Sequence, residues 1–499
     1  MSKKTTRVIA LTLVVLLGLV GVLAVAIDAL AEPAPPPRDQ YTLSIQVIPE
    51  ANALRVDQRL RYTNRTGEPL SQVLFNLYPN AYRRLITTPI EIHTIDSAYP
   101  SGFTPGGVDF FLVERNGRPA DWGVQGESEA FLRVQADLAP GESCEFRFGF
   151  ELLLPYARAD FGFTALGYQL HAFYPLAAPW DPALREFMLI NPMAVGSTLV
   201  SDPADYHLDI IAPPATALAA PGTLVREIID GGEHYTIQAE NLRQMGLLFS
   251  AKYRESQIET RAGTAIVAMM SDARAASFAL GIAREAMDLF EEALGTAPTS
   301  RIVIAEANLF EGAMMQPGMI LVDSSLLNAR QRDELEYQIA NCLARQWFFE
   351  KASHNPAREP WLSHAPAAYM ALRYYASAYD EVRFLDELNR RVLPALKLTM
   401  PGQIVVNSES LEFASVNDFQ IVTSERGAAV MYELSLLMGT ENLYRALRMY
   451  LDSGAGRICS AQDFANALSA VVGDRMDEVL QHLLCEIDDY ATLQMDWYE

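Results

Sequence analysis

The chain has 499 residues, half of them hydrophobic and a fifth charged, which predicts two or three domains with a sizeable core. Its formal net charge of −23 leaves no basic surplus to replace phosphate counterions, so nucleic acid is excluded as a partner class. The same balance favours solubility and mild repulsion from anionic membrane surfaces, and by itself names no substrate.

Lys3, Lys4 and Arg7 sit in residues 1–7 and precede an apolar run from Val8 to Ile27, interrupted by Thr12, Gly18 and Gly21. This pattern predicts a cytoplasmic basic segment over 1–7, a signal-anchor transmembrane helix over 8–27, and the remaining chain outside the cytoplasm. Ala29-Leu30-Ala31 offers a cleavage site, so the alternative is a removed signal peptide and a secreted chain. Residues 28–39, with Pro33, Pro35, Pro36 and Pro37, predict a short stiff linker.

Two-residue alternation begins at Tyr41. Tyr41, Leu43, Ile45 and Val47 fall on one face, and Leu54, Val56, Leu60 and Tyr62 repeat the pattern. Cys144, Phe146, Phe148 and Phe150 alternate after Pro140-Gly141, and Tyr206, Leu208 and Ile210 add another strand. Residues 40–254 are therefore expected to form a β-sandwich domain. Asn64-Arg65-Thr66 has the spacing of a glycosylation acceptor but reads more simply as a turn between strands.

The texture then changes. Ala273 to Leu294 carries apolar residues at helical spacing and stops at Gly295, and Ile302 to Ile304 is a short strand-like run. Helices are predicted near 331–350, 364–378, 427–438, 440–452, 461–472 and 475–486, giving an α+β domain over 255–499. Cys144, Cys342, Cys459 and Cys485 form no Cys-x-x-Cys pair, which predicts free thiols, mostly buried, rather than a zinc knuckle.

Four segments of the second domain carry motifs. They are Gly312-Ala313-Met314-Met315-Gln316-Pro317-Gly318, Asn341-Cys342-Leu343-Ala344-Arg345-Gln346-Trp347-Phe348, Trp361-Leu362-Ser363-His364-Ala365-Pro366-Ala367-Ala368-Tyr369, and Thr423-Ser424-Glu425-Arg426-Gly427-Ala428-Ala429. With the two-part layout, they resemble the membrane alanyl aminopeptidases, the aminopeptidase N-like gluzincins, over roughly residues 40 to 490. The resemblance implies a multidomain protein, an N-terminal β-sandwich followed by an α+β thermolysin-like peptidase domain that is mostly helical at its C-terminus.

It also shows what has been replaced. In that family the second segment reads His-Glu-Leu-Ala-His-Gln-Trp-Phe, two histidines holding zinc while the glutamate activates water. Asn341 and Arg345 stand at the histidine positions and Cys342 at the glutamate. His364, separated from Arg345 by eighteen intervening residues, stands where the family has its third ligand, a glutamate. Met315 replaces the glutamate that grips a substrate's free amine, and Ser424 replaces the tyrosine that stabilises the oxyanion. Among the seven histidines no two lie four apart, so no other His-x-x-x-His pair exists.

The expectation is a degenerate, membrane-anchored extracytoplasmic pseudopeptidase that binds a peptide or a membrane-protein partner without hydrolysis. Met315, Cys342 and Ser424 are its degenerate catalytic positions, and Asn341, Arg345 and His364 its degenerate metal positions. Gly312, Ala313, Met314 and Arg345 are the expected binding residues. No cofactor is expected. Two alternatives stay open: an active metallopeptidase with an unrecognised ligand set, for which zinc would be the cofactor, or an assembly platform in a membrane complex.

Several residues admit plainer readings. Cys342 near His364 suggests a thiolate nucleophile, against a packed thiol. Arg345 suggests carboxylate recognition, against an internal ion pair replacing the lost metal charge. Trp347, Phe348 and Trp361 could line a groove, against core packing. Met314, Met315 and Met319 could form an adaptable binding edge, against apolar fill.

Overall fold

The computed structural model describes residues 38–197, 200–310, 312–398, 400 and 404–485. The run Val8–Ile27 and all of the proline linker but its last two residues lie outside the described residues. Among the described residues no helix is long and apolar enough to cross a membrane.

The first domain is built by alternation. In Asp39–Ile48 and Ala53–Thr63 every second side chain is buried, and these strands pair antiparallel with Leu43 opposite Gln58 and Ile45 opposite Val56. They lie inside an eight-stranded sheet whose order is Thr223–Ile229, Gly232–Leu242, Ala204–Ala212, Asp39–Ile48, Ala53–Thr63, Ser143–Leu153, Gly107–Arg115 and Arg118–Pro119. Only the pairing of Asp39–Ile48 with Ala204–Ala212 is parallel. Two four-stranded sheets share its core, so that Leu43, Val56 and Phe148 meet Phe75, Val134, Leu170 and Leu247. The Phe75 and Phe148 rings meet edge to face at 5.2 Å.

Asn64 is fully buried, donating from Nδ2 to the carbonyls of Glu68 (2.7 Å) and Leu138 (3.1 Å) while Oδ1 accepts from Thr66 N and Oγ1. Its amide is consumed by the turn.

The sheet changes at Arg254. A five-stranded mixed sheet runs Arg254–Glu259, Ala265–Met270, Arg301–Ala307, Met319–Asp323 and Ala313–Gln316, with parallel pairing in its middle and antiparallel pairing at both edges. The helix Ala273–Leu294 covers this sheet. Asp272 caps its start by accepting from the Arg274 and Ala275 amides, and Gly295, at φ 86°, ends it. The helices Arg332–Arg345, Trp361–Ala378, Gly427–Met438, Thr440–Ser453, Ala461–Val472 and Asp477–Cys485 follow. One more helix, Glu381–Lys397, was not expected from the sequence. Pro394 inside it reads as a breaker, and Glu381, Arg383, Asp386, Glu387, Arg390 and Arg391 mask the buried stripe of Phe384, Leu388, Val392 and Ala395.

Trp347, Phe348 and Trp361 are fully buried in the helical core, so the groove reading of these rings is set aside. Cys144, Cys342 and Cys459 are free thiols and buried.

Candidate functional site

The helix Arg332–Arg345 organises the site. Leu335, Ile339 and Leu343 bury one stripe against the Ala273–Leu294 and Trp361–Ala378 helices. Gln338 and Arg345, seven residues apart and so on one face, line a cavity of about 570 Å³ between the two domains. The helix continues as a π-helical turn over Gln346–Lys351. There the Gln346 amide donates to Gln316 O (2.9 Å) and Met319 O (3.2 Å) and accepts from Gly318 N (3.0 Å). Those three bonds clamp the edge strand Ala313–Gln316 to the helix and place Gly312, Ala313, Met314 and Met315 on the cavity wall.

A second π-helical turn, Ile421–Arg426, presents Ser424. Its position depends on Gly427, where a Cβ would lie 2.6 Å from Ala365 Cβ. With glycine there, the following helix packs onto Trp361–Ala378, and Ser424 Oγ reaches His364 Nδ1 at 3.2 Å. The His364 ring stands edge to face on Phe419 at 5.0 Å.

The sequence-predicted residues therefore separate into two groups. Gly312, Ala313, Met314, Met315, Arg345 and His364 line one cavity, and Ser424 touches it through His364. Asn341 and Cys342 do not line it. Cys342 is 3% exposed within the helical core, and burial pushes its thiol up to about 11, with Arg345 opposing weakly. That environment favours the packed thiol over the nucleophile, because a thiol so far above neutrality supplies little thiolate.

Arg345 gives a correction. The internal ion pair expected to neutralise it is not there: it forms no hydrogen bond or salt bridge among the described residues, and its Nε is buried without a partner. Burial lowers the pKa of the guanidinium, which nevertheless remains a cation in proteins. The charge is felt nearby. His364 is held well below the usual imidazole range by burial, then by Arg345 and His354. His354 is fully buried with neither ring nitrogen hydrogen-bonded, and burial followed by Arg345 and Arg243 brings it down to about 3.

The opposite wall comes from the first domain and was missed by sequence reasoning. Tyr78 and Tyr82, one helical turn apart on the short helix Tyr78–Arg83, both donate to Asp160, Tyr82 at 2.9 Å and Tyr78 at 3.2 Å. His171 Nε2 lies 3.9 Å from Asp160, and burial lowers its pKa. No arginine or lysine pairs with Asp160 among the described residues. Gln244, 2% exposed, also lines the cavity with its Oε1 unbonded. Glu91 ties the domains together by accepting from Val416 N at 2.9 Å.

The resemblance implies zinc, and the side chains can be tested against it. Of Asn341, Arg345 and His364 only His364 is a good zinc donor, while Arg345 supplies a permanent cation that would oppose a dication. Among the described residues no group of three His, Cys, Asp or Glu is gathered to hold a metal. This donor set does not fit a zinc ion.

Comparison with known proteins agrees with the scaffold. Residues 278–483 match the Peptidase family M1 domain. Aminopeptidase M1-B of Oryza sativa subsp. japonica is 24% identical over 217 residues, 41% of this chain and 24% of its own length. The probable aminopeptidase 2 of Sulfurisphaera tokodaii is 23% identical over 220 residues, 41% of this chain and 28% of its own length. The chain thus spans about a quarter of the length of the curated relatives it matches.

Among solved structures, an M1 zinc metallopeptidase from Deinococcus radiodurans superposes with a TM-score of 0.62 at 16% identity, covering 90% of this chain and 93% of that one. A mutant M1 zinc metallopeptidase from the same organism, bound to a Tyr-Ser-Ala substrate, gives 0.61 at 17% identity over 90% and 94%. The architecture, a β-rich domain followed by an M1 peptidase domain with a helical C-terminal region, is shared with these structures.

Proposed function

We propose that this protein is a pseudopeptidase, an M1 aminopeptidase-like scaffold whose interdomain cavity binds a peptide without hydrolysing it. One observation carries the reading. At the position where the family places a zinc-binding histidine, Arg345 projects an unpaired, largely buried guanidinium into the cavity. A buried cation is costly unless something neutralises it, and no group of the described chain does so. In this reading a bound ligand supplies the neutralising charge.

The supporting losses are independent of one another. Cys342 cannot serve as the general base, Met315 cannot hold an amine, and Ser424 is occupied with His364. The apolar run Val8–Ile27 supports a membrane-anchored, extracytoplasmic setting.

The test combines metal content, cleavage and binding on the purified chain lacking residues 1–27. Expected are substoichiometric zinc, no cleavage of a mixed peptide library with or without added zinc, and retention of library members by the parent protein. Stoichiometric zinc with peptide cleavage, both lost on His364→Ala, would establish the metallopeptidase alternative instead.

A further inference from the structure

The cavity has two poles. On the helical-domain side Arg345 has no anionic partner among the described residues, and its Nε is buried and unbonded. On the β-domain side the carboxylate of Asp160, 7% exposed, accepts among the described residues only from the hydroxyls of Tyr78 and Tyr82, with His171 at 3.9 Å. A carboxylate offers about four lone-pair sites, so these contacts leave capacity on Asp160 for a further donor. A cation and a carboxylate of opposite domains thus line one cavity of about 570 Å³, each without a charged side-chain partner of its own. Were the two side chains meant for each other, the cavity between them would be closed by an ion pair, and it is open.

Gln244 adds a third feature. It is 2% exposed, lines the same cavity, and its Oε1 has no hydrogen-bond partner. Gln244 Oε1 is an acceptor, which calls for a donor such as a peptide N–H on the ligand.

We infer that the cavity selects a short peptide with both termini free, its carboxylate on Arg345, its ammonium on Asp160 and a backbone N–H on Gln244. This rests on the non-hydrolytic reading and adds to it the ligand's chemical class and direction. A ligand with one charge would leave the other pole uncompensated in a partly dehydrated space, where unpaired charge is most costly. A zwitterion compensates both poles at once, and the cavity volume lies within the range that encloses small ligands. The direction follows from the fixed charges: the carboxylate end points to the helical domain and the amino end to the β-rich domain.

Calorimetric titration with di-, tri- and tetra-alanine, each free, C-terminally amidated, N-acetylated and doubly blocked, tests the assignment. On the parent protein, blocking either terminus of the best-fitting length should weaken binding by about tenfold or more, since each block removes one charge-assisted contact. In Arg345→Gln the penalty for amidation should vanish while that for acetylation persists, and Asp160→Asn should show the reverse. The parent arms need no variant, so a folding defect in either mutant does not shelter the idea. If blocked peptides bind as tightly as free ones, the two-pole assignment is wrong while non-hydrolytic binding stands. If no peptide of the series binds in any form, the assignment falls, and the binding half of the pseudopeptidase reading then rests on the mixed library alone.

Discussion

The two walls of the cavity are built on opposite principles. The β-domain wall ties its charged group into a network: Tyr78 and Tyr82 bring two buried hydroxyls to Asp160, which satisfies both and keeps capacity for a ligand, while Gln244 Oε1 stays unbonded. The helical wall leaves Arg345 Nε open, and His354, fully buried in the same domain, has both ring nitrogens unbonded. A closed network rigidifies a wall, whereas open groups raise the free energy of the empty site and lower that of a complementary bound state. Stability is therefore expected to depend mainly on the first wall, while selectivity draws on both, through Asp160 on the first and Arg345 on the second.

Asp160→Ala should break the comparison most strongly. It leaves two buried phenols, 3.4 Å apart, with one another as the remaining partner, so that at least one donor is orphaned at about 1–3 kcal/mol. Thermal unfolding should show a loss of several degrees, and a variant as stable as the parent would mean that the network contributes nothing.

Arg345→Met should act in the opposite sense. The thioether keeps most of the apolar stem and removes an uncompensated buried cation, which is expected to raise stability by about 1–3 kcal/mol while weakening peptide capture. A destabilised Arg345→Met protein would point to a partner for the guanidinium that the cavity geometry does not contain.

How far could these walls be read from the sequence? The apolar frame of the helical wall was legible, since Leu335, Ile339 and Leu343 recur at helical spacing and the Trp361 segment lies at the family distance. The motif positions were legible too, but the surroundings of their side chains were not. Cys342 and Arg345 are three residues apart, yet one is sealed in the core and the other enters the cavity, a division set by packing. The β-domain wall was hidden because Tyr78, Asp160, His171 and Gln244 are scattered over some 170 positions and meet only through sheet topology. The i, i+4 tyrosine pair before a buried aspartate was the one local signal available. Glu381–Lys397 was missed because its charges and Pro394 outweighed its stripe.

A third prediction concerns pH and the buried Glu350 beside Arg243. Glu350 is 5% exposed, accepts from the Arg243 amide at 2.8 Å, and leaves Oε2 unbonded. Burial raises it from 4.5 to about 7, opposed by Arg243. A carboxyl raised on folding holds its proton more tightly in the native state, so its stabilising contribution is complete below 4.5 and is lost as pH rises towards about 7. Glu350→Gln should flatten that loss. Its stability relative to the parent should grow by about 1 kcal/mol per pH unit across this window, from near equality at the acid end. Parallel curves for the two proteins in chemical denaturation would show that Glu350 is ionised throughout.

The smallest effect is expected at Ser424. Its hydroxyl meets His364 Nδ1 at 3.2 Å, and the ring is also held edge-on by Phe419. Because burial, Arg345 and His354 together keep His364 well below the usual imidazole range, the bond joins two neutral groups near neutral pH. Such bonds contribute about 1 kcal/mol or less, and Phe419 still fixes the ring when the hydroxyl is gone. Ser424→Ala should therefore lower thermal stability only slightly, leave peptide affinity within about twofold, and change the ¹⁵N shift of His364 Nδ1. A catalytic oxyanion donor would behave otherwise, since its removal costs a hundredfold or so in turnover without touching stability. The magnitude of the Ser424→Ala effect, read beside that of Asp160→Ala, thus separates a residue that trims an open wall from one that closes a network.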